Sequence, residues 1–261
     1  MVYRLALAIA VACIVTPLAA APASSAPSQS EDARFTAFGD RVIEQYLRLD
    51  PASATQLGEH RYDNRLPDVS AAGRAVTRGF AQRTLTQLAR FDRSRLSREH
   101  QVDALLLADQ LRYILFSDQK LQDWAWNPLS YSGTAGGSLF ALTSREFAPL
   151  PVRLRAATGR LEALPTFLAQ ARASLVPARV PKIHAETAAK QNPGLNSLID
   201  DVVAKKGALP SAEQARLVRA AAAAKAAVAD YQQWLDKSWC RPRVEKRGSA
   251  PPITTRSCGW R

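Results

Sequence analysis

Apolar residues return every third or fourth position through most of this chain, and nowhere is the two-residue rhythm of a strand sustained. Phe35, Phe38, Val42, Ile43, Tyr46 and Leu47 share one helical face, and Asp50-Pro51 ends that helix because a residue before proline avoids the α region. ATQLGEHRYDNRLPDVS then reads as a loop with one short turn. Ser70 is placed to cap a second helix running to about Phe91. Ser97 is placed to cap a third, with Val102, Leu105, Leu106, Leu111 and Leu115 toward the core and Trp124 as a further candidate. NPLSYSGTAGGSLFAL, with Pro128, Gly133, Gly136 and Gly137, reads as a loop or a segment of close backbone approach. Helices are expected over 151–163 and 166–175, with breaks at Pro177 and Pro181, and short helices over 183–191 and 195–203. Ser211 with Gln214 forms a capping box opening a long alanine-rich helix that reaches Trp234 and Leu235. The predicted fold class is all-α, a multi-helix array without an internal repeat.

The two ends depart from this pattern. MVYRLALAIAVACIVTPLAAAPASSAP has a basic Arg4, a short apolar run and small residues suited to cleavage, so 1–23 is read as a signal peptide and 24–33 as a linker. The address expected is the periplasm or the outside of a bacterium, with no membrane association once the signal is removed. Cys13 lies in that run, and the body from Ala23 to Lys237 has no cysteine, so the body carries no disulfide and no thiolate metal site. The remaining cysteines, Cys240 and Cys258, and two of the five tryptophans, Trp239 and Trp260, fall in 238–261.

A net charge of +12 raises the question of nucleic acid. Six of the excess cations stand against one Glu245 in the last 24 residues, and in the body acids and bases alternate along helical faces as on a solvated surface. With no helix-turn-helix, finger or RNA-recognition pattern, nucleic-acid binding is not expected.

Candidate chemistry is sparse. The histidines are His60, His100 and His184, and no His-Glu-x-x-His is present. His184 and Glu186 stand two apart on a helix and point apart, a poor chelate but usable for structural or substrate-side hydrogen bonds. GEHRYDNRLPD concentrates His60, Arg61 and Tyr62 among acids in one loop, which suits either a polar cleft or a self-bonded surface. Arg145 beside Glu146, and Tyr131 in the glycine-rich segment, are further candidates for a substrate wall. The lysine of a phosphate loop and the Gly-x-Ser-x-Gly elbow of a serine hydrolase are both absent. No residue is assigned a catalytic or metal-binding role.

Four phrases in order, DPASATQLGEHRYDNRLPDVS, WNPLSY, LTSREFAPLPVRLRAATGRLEALPTFLAQARASL and KIHAETAAKQNPGL, resemble the domain of unknown function 885 family over 34–237. The resemblance implies the N-terminal half of a helical, zincin-like, metallopeptidase-like bacterial protein about twice this long. The family's zinc motif, His-Glu followed by Pro-Gly-His-His, belongs to the half that has no match here. By resemblance this chain supplies scaffold and one wall of a substrate channel, with zinc expected only in the other half. A peptide substrate is then expected only for the full-length protein, and this chain by itself is expected to be inactive. The alternative is a stand-alone periplasmic helical binding module.

The odd end has a coding explanation. Read one base over, the codons of Trp239, Cys240, Cys258 and Trp260 each become Leu, Val or Met, because Trp and Cys codons both begin TG. The same phase permits Leu-Val-Pro, Gly-Glu and Lys-Leu segments like those with which the family continues. We therefore read 238–261 as an out-of-frame, disordered tail following a one-nucleotide slip near Lys237.

Overall fold

The structure, a computed structural model, describes residues 30–239. The segment read as a signal peptide, most of that read as a linker, and residues 240–261 lie outside that range. All regular elements among the described residues are helical: α1 (Glu31–Leu49), α2 (Pro51–Gln56), α3 (Ala71–Leu88), α4 (Arg98–Phe116), α5 (Asp123–Trp126), α6 (Pro128–Ser144), α7 (Leu150–Ser174), α8 (Lys182–Gln191), α9 (Gly194–Ala204) and α10 (Ser211–Trp239). The expectation of an all-α fold is met.

Local chemistry sets most boundaries. Ser70 Oγ accepts from Gly73 N at 3.1 Å and Ser97 Oγ from His100 N at 3.3 Å, as the caps predicted. Asp50 both closes α1 and caps α2, accepting from Ser53 N at 3.1 Å. At the N-terminus the helix reaches into the segment read as linker, because Ser30 caps α1 and Glu31 and Asp32 suit the positive end of its dipole. At the other end α10 continues past Lys237 to Trp239, whose indole donates to Pro177 O at 3.0 Å and packs edge-on to Trp234. Its start also differs from the capping box: Ser211 is inside the helix, Pro210 O accepts the first amides, and Gln214 reaches back to Leu209 O at 2.8 Å.

Three expectations are corrected. The glycine-rich segment is a helix, α6, begun by the Asn127 side chain and by Pro128 at its first turn. Its glycines serve close packing: a Cβ on Gly136 would touch Leu195 and Leu198 of α9 at 3.4 Å. The two helices expected across 151–175 are one, α7, which carries Pro165 in its interior; packing against α10 along its length outweighs the lost backbone bond. On α4 the buried face is Ala104, Ala108 and Leu111, with Leu115 half-buried beside them, whereas Val102, Leu105 and Leu106 face solvent. The helix is apolar on both sides, and the smaller side chains allow α1 and α3 to approach.

Two cores result. Phe35, Phe38 and Val42 of α1 pack with Phe80 and Leu88 of α3 and the alanine face of α4. The larger core joins α6 through α10, with Leu154, Leu161, Leu164 and Leu168 of α7 against Leu217, Ala224, Val228 and Leu235 of α10.

Candidate functional site

Between the cores lies a cleft of about 680 Å³, within the range of small-ligand sites. Tyr46, Asp50, Ser53 and Gln56, from the junction of α1 and α2, form one side, and Arg74, Arg78 and Tyr113 of α3 and α4 form another. The floor comes from Asp118, Asp123 and Trp124, together with Tyr131 of α6. That floor is built by an irregular stretch. After α4 the backbone makes a π turn over Ser117–Leu121, then Gln122 takes a left-handed conformation at φ 50° and ψ 42°. A π turn widens the helical ladder by a residue and rotates the chain beyond it. Here it places Asp118, Asp123 and Trp124 on the same side.

The groups in the cleft hold one another. The Arg74 guanidinium lies 4.0 Å from the centroid of the Trp124 ring and donates to Val69 O at 2.8 Å and Ser174 Oγ at 2.7 Å. Arg78 pairs with Asp118 at 2.6 Å. Trp124 Nε1 donates to Asp118 O at 3.0 Å, and Tyr131 OH donates to Trp124 O at 2.7 Å. Burial pushes the Tyr131 phenol up to about 12, the Ser174 hydroxyl partly opposing, and burial with the nearby Asp50 charge raises that of Tyr46. The lining contains carboxylates, guanidinium groups and aromatic faces but no histidine, cysteine or lysine, a set suited to binding a polar ligand.

Of the seven residues singled out from sequence, Tyr131 lines this cleft. The rest lie elsewhere. His60 stacks flat on Phe147 at 3.7 Å and bonds Asp63 through Nδ1 at 2.9 Å. Arg61 pairs with Glu44 and with Glu59 at 2.8 Å, holding the Glu59 carboxyl at about 2. Tyr62 is buried and donates to Glu44. The GEHRYDNRLPD loop is thus bonded partly to itself and partly to Glu44 of α1. Exposed Arg145 donates to Gln56 O at 3.2 Å, beside that loop. On α8, His184 stacks on Trp126 at 5.4 Å with a buried Nδ1 lacking a partner, while exposed Glu186 pairs with Lys182 at 3.6 Å. His184 and Glu186 therefore diverge.

Sequence reading missed Arg160, which organises the loop from beneath. It is 1% exposed, donates to Arg65 O at 3.1 Å, to Pro51 O at 3.2 Å, to Ser138 O and to Thr55 Oγ1, and lies 3.9 Å from Asp63. Burial brings its pKa down to about 10, against the pull of Asp63 and Asp50. The available signal was a charged residue in phase with the apolar face of α7, among Ala157, Leu161 and Leu164.

Among the described residues no group of three or more His, Cys, Asp and Glu side chains converges as metal ligands would. The closest histidine–acid pairs, His60 with Asp63 and His100 with Asp32, each offer one imidazole already engaged with a carboxylate. These residues do not fit a zinc centre, which takes three or four protein donors.

The sequence over residues 51–251 matches the family described as bacterial protein of unknown function, DUF885. The chain belongs to this family. The matched span passes Lys237 into the segment read from sequence as out of frame. Among solved structures, this DUF885 chain is similar to one titled "a putative lipoprotein of unknown function" from Shewanella oneidensis, at 27% identity and a TM-score of 0.75. The similarity covers 82% of this chain but 39% of that one. No curated protein matches. No helix among the described residues is long and apolar enough to cross a membrane.

Proposed function

We propose that this chain is the N-terminal, substrate-wall part of an exported, metallopeptidase-like DUF885 hydrolase, and that it hydrolyses nothing by itself. The observation that carries the reading is the similarity at a TM-score of 0.75 to a chain of which it spans only 39%. The cleft between the cores gives the proposed wall a concrete form of aromatic faces and fixed charges. Zinc and the water-activating base would belong to the remainder of the family fold, so no catalytic step is derived from the residues here. The frame slip near Lys237 is part of the proposal. It is tested by resequencing the DNA from the Trp234 codon onward. A continuing frame containing His-Glu and Pro-Gly-His-His, whose product binds zinc and cleaves peptides, is the expected result. A longer product without bound zinc would sink the enzyme reading.

One observation favours a second reading, a helical binding module of the periplasm. The cleft gathers carboxylates, guanidinium groups and aromatic faces from the described residues alone, the set a binder of a polar ligand needs. A confirmed stop codon with no zinc motif downstream would put this reading first.

A further inference from the structure

Helix α4 has two apolar faces. Ala104, Ala108 and Leu111 point inward. On the opposite side Val102, Leu105, Leu106, Tyr113 and Phe116 are between 39% and 63% exposed. At about 100° per residue these five fall within an arc of roughly 100°, the width of a core-facing stripe on a helix that is covered. Elsewhere the exposed large apolar residues of helices are more isolated, such as Ile43 on α1, Val76 on α3 and Val218 on α10. The clustering on α4 is the pattern of a surface that another layer buries.

We infer that this outer stripe of α4 is the docking face for the part of the DUF885 fold that the longer relative carries and this chain does not match. The inference rests on the reading proposed above and names where the two parts meet. Its first support is length: the Shewanella oneidensis chain extends well beyond the matched region, which is 39% of it. Its second is position. Tyr113 belongs both to the stripe and to the cleft lining, together with Gln110 and Ile114 of the same helix. A layer seated on α4 would therefore border the cleft and complete its rim. Its third is charge. Asp109 sits mid-stripe, exposed and paired with Arg112 at 2.9 Å, so the covering layer must set a polar or basic group opposite it. A second copy fits less well. An antiparallel pair centred on the stripe, Val102 opposite Phe116, would bring the two Asp109 carboxylates together.

The test is hydroxyl-radical footprinting, read by mass spectrometry, of the full 261-residue chain and of the longer protein encoded by the resequenced DNA. Oxidation of Leu105, Leu106, Tyr113 and Phe116 is expected to slow several-fold in the longer protein, while Leu57, exposed and off the stripe, is unchanged. If the longer protein binds zinc and cleaves peptides yet its stripe is oxidised as fast as in the short chain, the docking inference fails and the functional reading stands. If the DNA encodes no longer protein, both fail. Protection already present in the short chain that disappears on dilution would assign the stripe to a second copy and overturn the inference.

Discussion

Replacing Arg160 with methionine probes the tie between α7 and the α2–loop segment directly. Methionine keeps an unbranched apolar stem and removes the guanidinium. The carbonyl of Arg65, which sits in a loop, loses its side-chain donor, at about 1–3 kcal/mol for an unsatisfied group. Asp63, itself buried, loses the cation 3.9 Å away. Thr55 still has Asp63 and Pro51 O as acceptors for its one hydroxyl proton, and Ser138 and Pro51 lie within helices, so those losses are smaller. Breaking one partner of a buried pair costs about 3–5 kcal/mol, a range that already includes the desolvation the removed charge escapes. That same desolvation brings the Arg160 pKa down to about 10 and argues for the lower end. The expected loss is about 3 kcal/mol, a fall in unfolding midpoint of roughly 6–12 °C for a domain of this size. Circular dichroism at 222 nm during thermal unfolding measures it. Arg160→Lys is expected to lose nearly as much, because one ammonium cannot reach four acceptors spread over α2, α6 and the loop. A fall of less than about 1 kcal/mol in both variants would refute the account of Arg160 as the clamp beneath the loop.

Gly159→Ala on α7 is expected to destabilise by about 1–3 kcal/mol despite the better helix propensity of alanine, because the new Cβ would lie 2.7 Å from Asn64 O and 2.8 Å from Asn64 Cβ; chemical denaturation checks the sign. The Glu59 carboxyl, held down by Arg61, is expected to titrate by NMR at about 2, and Arg61→Ala to return it toward 4.5. Its folded value is depressed, so its contribution is present above 4.5 and is lost as pH falls toward 2. Tyr131 has a raised value, so the unfolded chain ionises first: its contribution is present below pH 10 and is lost as pH rises toward 12. Tyr131→Phe is therefore expected to flatten the fall in stability over that window, read from denaturant unfolding at a series of pH values.

What was legible in the sequence was local. The Ser70 and Ser97 caps and the Asp50-Pro51 boundary depend on a few neighbouring residues and appeared where expected. Helix α6 was hidden because its glycines oppose helix propensity, and only the approach of Leu195 and Leu198 from α9 explains their presence. The phase of α4 was misread because a helix apolar on two sides gives no preference between them. The cleft was legible only at Tyr131: its lining gathers residues from 46 to 134, and the π turn that turns Asp118, Asp123 and Trp124 together has no sequence mark. The loop richest in charge proved bound to its own neighbours and to Arg160, nearly a hundred residues away.

The order of the two cores along the chain has a consequence for synthesis. The first is made from α1, α3 and α4, all within the first 116 residues, and every contact in it is available soon after Phe116 leaves the ribosome. The second cannot close until Leu217, Val228 and Leu235 have emerged to meet α7. Until then α7 must wait with little besides α6 to shield its apolar face, a window in which a chaperone would find its client.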